Sequence, residues 1–280
     1  MVLESLMSPL KAEHKPFRMF LIGILYATVA IFLSVWIFKA YSSLVMVFLT
    51  VTAAVPLLYR TMKQQEHVDM ELTSERSILK QHAKVINFLL FLFLGFLVAY
   101  SFWYIVLPAN LVQTMFQSQI QTIESINARI ISGQVAQSTV LTEIFLNNIK
   151  VMMFCIFFAF FYGAGAIFIL TWNASVISAA VGTFIKNGIA NLTTNPTIFN
   201  YFHMFSLGLL RYLIHGLPEI AAYFVGGLAG GIISVAMINH DIETEKFKKI
   251  MLDALDLIVI AVAMLVVAAL VEVFITPKFF

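Results

Sequence analysis

The sequence predicts an all-α fold, a polytopic transmembrane helical bundle of six or seven spans. Its composition is 61% hydrophobic and 11% charged, with a mean hydropathy of +0.93, far from the averages of soluble domains. Apolar runs of about 20 residues, the length that crosses the hydrocarbon core, recur along the chain. Lysine and arginine are largely confined to the segments between these runs, as in membrane proteins with a defined orientation. A soluble core is excluded, because its apolar surface would exceed what the polar residues could cover.

Five apolar runs predict firm membrane spans. The last of them is closed by Thr276 and Pro277, because proline cannot continue the hydrogen-bond ladder of a helix. The first is too long for a cleavable signal peptide, and a second run follows it almost at once. The five runs are Phe17–Phe38, Leu44–Tyr59, Val85–Leu107, Ile149–Leu170 and Leu252–Ile275.

Two further segments are harder to interpret. Thr171–Gly188 is short and rich in small and polar residues, so it either crosses once or folds back as a re-entrant pair of half-helices. Tyr201–Ile238 is too long for one straight crossing and contains Pro218. We predict a half-helix over Phe202–His215, a break, and a span from Pro218 to Ile238. The bundle then has seven crossings if the first segment spans, and otherwise five firm crossings plus irregular elements.

Basic residues predict the orientation, because cytoplasmic loops retain lysine and arginine. The segment Pro108–Asn148 carries only Arg129, so we place it outside. The prediction is a multi-pass protein of the cell membrane with a cytoplasmic N-terminus and an external C-terminus. The residues placed inside are Lys11, Lys15, Arg18, Arg60, Lys63, Arg76, Lys80, Lys84, Lys246, Lys248 and Lys249.

The organisation follows from this topology. Residues 1–84 form a two-span hairpin with a charged cytoplasmic loop, and residues 85–280 form the main membrane domain. Within that domain the external segment 108–148 has apolar residues at helical spacing, which predicts an amphipathic helix. Such a helix lies on the outer leaflet, docks on a partner or packs onto its own bundle.

Polar residues within or beside the apolar runs are the candidate functional site, since ionisable groups in a span cost about 2.5 to 3.5 kcal/mol each on insertion scales. The predicted topology brings them to one depth in the external half of the bilayer. Three interpretations stay open: ion pairing of Arg211 with Glu219 or Glu272, a ligand or ion path beside a broken helix, and a docking site. The residues are Asn147, Asn148, Arg211, His215, Pro218, Glu219 and Glu272.

Clusters of small residues indicate close helix packing, either within one bundle or in a homodimer. Two GxxxG pairs occur in the GGLAGG run. No nucleophile motif, phosphate loop or metal-ligand spacing is present, Cys155 is the lone cysteine, and the net charge is only +2. The sequence therefore predicts no enzyme, no cofactor, no metal site and no nucleic-acid partner. The packing residues are Gly163, Gly165, Gly182, Gly226, Gly227, Gly230 and Gly231.

Three runs together resemble the stage II sporulation protein M family of polytopic membrane proteins. The runs are FLNNIKVMMFCIFFAFFYGAGAIFILTWNASVISAAVG, HGLPEIAAYFVGGLAGG and LVEVFITP, within roughly residues 85–277. The resemblance implies that Asn148 enters the central span, that Gly163 and Gly165 form the glycine pair, and that Gly182 is the small residue of the next segment. It also assigns Pro218 and Glu219 to the HGxxE version of the break, and Glu272 to the acid near the terminal proline.

The resemblance implies a non-enzymatic membrane scaffold whose members anchor cell-wall hydrolases on the outer side of the membrane. This chain departs from the short sporulation member by two extra N-terminal spans and a charged loop. The leading hypothesis is a scaffold or assembly factor that works through its external face in envelope remodelling, as a homodimer with membrane or extracytoplasmic protein partners. The alternative is a transporter of a small molecule, ion or lipid that uses the polar cluster.

Overall fold

The computed structural model of the chain describes residues 16–71, 75–131, 137–162, 166–192, 197–239 and 244–279. These residues are helical almost throughout and contain no strand, which confirms the predicted all-α class. A 3₁₀ turn, Lys39–Tyr41, joins the first two helices, and a π-helical turn, Val271–Ile275, follows the ninth. The helices are α1 Pro16–Phe38, α2 Ser42–Glu71, α3 Glu75–Val106, α4 Ala109–Met115, α5 Gln117–Ile131, α6 Gln137–Tyr162, α7 Ala166–Leu192, α8 Ile198–Asn239, α9 Glu245–Leu270 and α10 Thr276–Phe279.

Six stretches of the described chain are long and apolar enough to cross a membrane. The first contains α1 and the first part of α2, and these two helices pack against one another as a hairpin. The predicted polytopic helical bundle is therefore confirmed. The six stretches are Pro16–Leu58, Ile86–Val106, Thr139–Phe161, Ala166–Asn191, Ile198–Ser234 and Phe247–Lys278.

The central helices differ from the predicted spans. The structure divides the predicted run Ile149–Leu170 between α6 and α7, with the GAG sequence, residues 163–165, lying between them outside the described residues. Thr171–Gly188 belongs to the single helix α7, so the re-entrant pair is wrong. Helix packing explains why α7 is rich in small residues: Ala174 and Ala179 are fully buried, and α7 packs against both α3 and α8.

The predicted break at Pro218 is also wrong, because α8 is one helix from Ile198 to Asn239. Proline removes the donor that would reach the carbonyl of Ile214, but this is one hydrogen bond in a long ladder. Transmembrane helices tolerate such a loss where neighbouring helices pack closely, and α6 and α9 both pack on α8. Pro277 likewise does not end the helical structure, since α10, Thr276–Phe279, continues directly from the π-helical turn.

In the segment 108–148, which the sequence predicts to be external, the described residues form α4, α5 and the beginning of α6. A turn at Phe116 separates α4 from α5, and α6 has already begun at Gln137, so residues 137–148 belong to a membrane helix. Val112, Met115 and Phe116 are buried in the main core. The sequence left three placements open for this segment: on the outer leaflet, on a partner, or on its own bundle. The described part of the segment packs onto its own bundle.

Helix contacts form one core that runs from α1 to α9. On one side α1 and α7 pack on α3, and on the other side α6 and α9 pack on α8. Close approaches set the directions: Gly230 of α8 lies beside Ile156 of α6, Gly226 beside Met152, and Gly188 of α7 beside Met204 of α8. Helices α6 and α8 are therefore parallel to one another, whereas α7 is antiparallel to α8. The division at residue 84 remains a prediction from sequence, and the N-terminal hairpin contributes to this same core.

The orientation can be tested by cysteine labelling. Gln121 is exposed on α5 and Lys249 is exposed near the start of α9, whereas Cys155 is fully buried. In a Cys155→Ala background, we expect a membrane-impermeant maleimide to label Gln121→Cys on intact cells. Lys249→Cys should react only after the membrane is permeabilised. The reverse pattern would overturn the predicted orientation.

Candidate intramembrane polar site

The centre of the site is a hydrogen-bonded triad between α6 and α8. The Asn148 side chain is 6% exposed, and its Nδ2 donates to Oε1 of Glu219. Its Oδ1 accepts a hydrogen bond of 2.9 Å from the Tyr223 hydroxyl. Glu219 and Tyr223 are four residues apart, so they lie on the same face of α8. Both can therefore hydrogen-bond to the side-chain amide of Asn148. Asn148 thus uses both halves of its amide to join the two helices.

The π-helical turn Val271–Ile275 forms the third wall of the site. It packs against α6 and α8 and carries Glu272, whose carboxyl group lies within electrostatic range of Glu219. The next residue after the turn, Thr276, donates to the Val271 carbonyl at 3.2 Å, and its hydroxyl lies 3.3 Å from Nδ1 of His215. A π-helical turn adds one residue to the helical repeat and is common at functional sites. Here it lies where α9 meets α8.

The predicted cluster is only partly assembled. The structure brings Asn148 and Glu219 into contact, and it places Glu272 and His215 on the adjoining wall, while Pro218 lies in the α8 backbone beside them. Asn147 is exposed on another face of α6. In addition, Asn148 lies well inside the candidate span Thr139–Phe161 rather than at its outer start, because α6 begins at Gln137.

Arg211 does not pair with either glutamate within the described residues. Its guanidinium group lies over the ring of Phe184 in α7, 5.4 Å from the ring centroid. Arg211 precedes Glu219 by two turns of helix, which is about 12 Å along the axis, so the two side chains face different neighbours. The predicted ion pair between Arg211 and Glu219 or Glu272 is therefore wrong for this chain.

Two members of the site and one further cluster were not predicted from the sequence. Tyr223 follows Glu219 at helical spacing, which is the signal that could have found it, whereas Thr276 was interpreted only as a helix stop. The second cluster surrounds Gln119 of α5, whose side chain is fully buried. Its Nε2 donates to the Ser43 carbonyl of α2 and to Oγ of Ser175 in α7, both at 3.1 Å. No pattern in the sequence distinguishes Gln119 from the other glutamines of the segment.

The predicted packing glycines lie mainly inside the bundle. Gly226 and Gly230 pack on α6, Gly227 approaches the Cβ of Ala166, and Gly182 lies against the ring of Tyr104. Gly231 is buried in α8. Gly163 and Gly165 lie outside the described residues. A close backbone contact between Gly23 of α1 and Gly95 of α3 was not predicted from the sequence.

The chemistry available at this site is hydrogen bonding and proton binding. Two carboxyl groups, an amide, a phenol, an imidazole and the Thr276 hydroxyl line it. Within the described residues, no group of three or more histidine, cysteine, aspartate or glutamate side chains is placed to hold a metal ion.

The fold and the site together define a polytopic α-helical membrane protein whose interior holds a carboxyl and amide cluster. Residues 85–277 match the family described as stage II sporulation protein M. This match covers more than half of the chain, so the protein belongs to that family, as the resemblance of its motifs predicted. The family is not known as an enzyme family. No curated protein and no solved structure matches the chain.

Proposed function

We propose that this protein is a non-enzymatic membrane scaffold or assembly factor that acts through its external face in envelope remodelling. The observation that carries the proposal is the attachment of the external helices to the bundle. Fully buried Phe116 and Gln119 fix the start of α5 to the helices beneath it. A surface that is held rigidly loses little conformational entropy when a partner binds, which favours docking.

The outward face of α4 and α5 supports this role. Its exposed side chains recur at helical spacing and form a row that is rich in amides and nearly uncharged. Amides both donate and accept hydrogen bonds, so such a row suits a protein surface rather than an ion. We call it the amide row. It consists of Asn110, Gln113, Gln117, Gln121 and Glu124.

The interior site supports a structural role over transport. Both halves of the Asn148 amide are used within the protein, by Glu219 and Tyr223, and Thr276 and His215 meet on the adjoining wall. Polar side chains that hydrogen-bond across helices stabilise a membrane bundle. The cluster therefore holds α6, α8 and the π-helical turn together, and the external helices carry the binding function.

The test compares complexes in native membranes solubilised in mild detergent. On native electrophoresis we expect the unmodified chain to migrate as part of an assembly larger than the single protein. The double variant Gln117→Arg/Gln121→Arg should no longer form this assembly, because two charges disrupt the amide row. Lys249→Glu, which alters an exposed charge on the opposite side of the predicted topology, should leave the assembly intact.

Equal assembly of both variants and the unmodified chain would contradict the scaffold proposal. So would solute flux through the purified protein in liposomes that is abolished by Glu219→Gln, since that result requires a transport path through the site.

A further inference from the structure

Gln119 of α5 carries a buried acceptor that its own chain leaves unused. The side chain is fully buried, and its Nε2 donates to the Ser43 carbonyl of α2 and to Oγ of Ser175 in α7, both at 3.1 Å. An amide nitrogen has two hydrogens, so both are used. Its Oε1 is inaccessible and has no hydrogen-bond partner among the described residues. Buried polar groups in proteins are nearly all hydrogen-bonded to protein or to ordered water, so a partner for this oxygen is expected.

Thr171 of α7 carries a second buried group of this kind. The residue is fully buried, and within the part of the chain that the structure describes its Oγ1 has no partner. Thr171 precedes Ser175 by four residues, so the two lie on the same face of α7, one turn apart. The Ser175 hydroxyl donates to the Trp172 carbonyl at 2.7 Å, which directs it back toward the turn that contains Thr171. The Gln119 amide is therefore held beside the same turn of α7 as the Thr171 hydroxyl.

The chemistry of these two groups defines the ligand that would join them. Oε1 of Gln119 only accepts hydrogen bonds, so the ligand must donate one. The residues that hold the amide, Ser43 and Ser175, are neutral, as is Thr171, and an ion buried among neutral groups without a counter-charge is strongly disfavoured. Both atoms are inaccessible, so the ligand must also be small. A water molecule meets all three conditions, because it is neutral and small and both donates and accepts hydrogen bonds.

We infer that a buried water molecule joins α5 to α7, donating one hydrogen bond to Oε1 of Gln119 and forming a second with Oγ1 of Thr171. Both halves of the Gln119 amide are then hydrogen-bonded, as the interior of a membrane bundle requires. The water adds to the contacts that fix the start of α5 to the helices beneath it. The inference goes beyond the proposed function and does not depend on it, because the amide row takes no part.

An experimental structure of the full chain in a lipid nanodisc, at a resolution that shows ordered water, tests the site directly. We expect a density peak within about 3.0 Å of both Oε1 of Gln119 and Oγ1 of Thr171. The inference is overturned if no peak lies there, if the peak has the coordination of an ion, or if the two side chains hydrogen-bond directly to one another or to other protein groups.

A double-mutant cycle on the unfolding equilibrium in detergent tests the same bridge in solution. Thr171→Val removes the hydroxyl, and Gln119→Met removes the amide. If a water molecule joins them, the effect of Thr171→Val on the unfolding equilibrium constant should differ at least about fivefold between the unmodified and the Gln119→Met backgrounds.

Thr50→Val is the matched control. It makes the same change at a fully buried threonine whose hydroxyl already bonds the Tyr100 hydroxyl at 2.7 Å. Its effect should agree within about twofold between the two backgrounds. Equal effects of Thr171→Val in both backgrounds, or coupling of Thr50→Val as strong as that of Thr171→Val, would contradict the water bridge. If Gln119→Met does not fold, the density in the unmodified chain decides.

Discussion

Replacing Asn148 with leucine is expected to destabilise the folded bundle by about 2 kcal/mol, because two buried hydrogen-bonding groups lose their partner. Glu219 loses the amide that donates to its carboxyl group, and the Tyr223 hydroxyl loses its acceptor. In the membrane interior no water replaces them. The free energy of unfolding in detergent, measured by denaturant titration, and the melting temperature Tm should both decrease.

The neighbouring residue provides the control. Asn147→Leu makes the same chemical change one position away, at an exposed side chain. Measured on the monomeric species isolated by size exclusion, it should change the unfolding free energy by less than about 0.5 kcal/mol. Equal destabilisation by the two variants would mean that the Asn148 triad does not hold α6 and α8 together.

Replacing Gly95 with alanine is expected to cost about 2 to 3 kcal/mol, because the added methyl group would meet backbone rather than a movable side chain. A Cβ at this position would lie 2.9 Å from the Cα of Gly23 and 3.1 Å from the backbone nitrogen of Ile24. Helices α1 and α3 would have to separate along their contact. The expected result is a lower Tm and a lower yield of folded protein in detergent.

Gly216→Ala is the matched change without a clash. Gly216 is buried in α8, but a Cβ added there has no neighbour within 4 Å. Because alanine favours helix over glycine by about 1 kcal/mol, this variant should be neutral or slightly more stable. If Gly95→Ala were as stable as Gly216→Ala, the close contact between α1 and α3 would be incorrect.

Hydropathy was sufficient to predict the class of fold and most of the helices that cross the membrane. It failed at the ends of helices. Hydropathy indicates which residues can lie in lipid or in a protein interior, but it does not indicate where helical hydrogen bonding begins. Glu143 and Asn147 lie outside the predicted fourth span, yet α6 begins before both of them. Likewise α2 continues to Glu71, far beyond the predicted end at Tyr59.

Pro218 illustrates a second limit. Its covalent structure predicts a local loss of one hydrogen bond, and the sequence alone suggests a break. Whether the helix continues depends on neighbours that are distant in sequence, and here α6 and α9 pack on both sides of α8. The effect of a proline in a membrane helix is therefore decided by tertiary packing.

The polar site shows how much of a residue cluster can be predicted from membrane topology alone. Counting crossings correctly suggested that Asn148, Glu219 and Glu272 approach one another, although they come from three helical segments. It could not assign faces, because a shift of one residue turns a helix by 100°. For this reason Asn147 and Arg211 were grouped with residues that they do not contact. The contact between Gly23 of α1 and Gly95 of α3 was missed because the two glycines are far apart in sequence.

The length of α8 has a consequence for the surrounding bilayer. Its 42 residues extend over about 63 Å, roughly twice the thickness of a hydrocarbon core. An upright helix of this length stands clear of the lipid, and at its N-terminal end Ile198, Phe199 and Phe202 are at least 70% exposed. Apolar side chains at that height favour a tilted helix or a locally thicker bilayer, the two usual responses to a hydrophobic helix longer than the hydrocarbon core. We therefore expect α8 to lie at an angle to the membrane normal or to be surrounded by thickened bilayer.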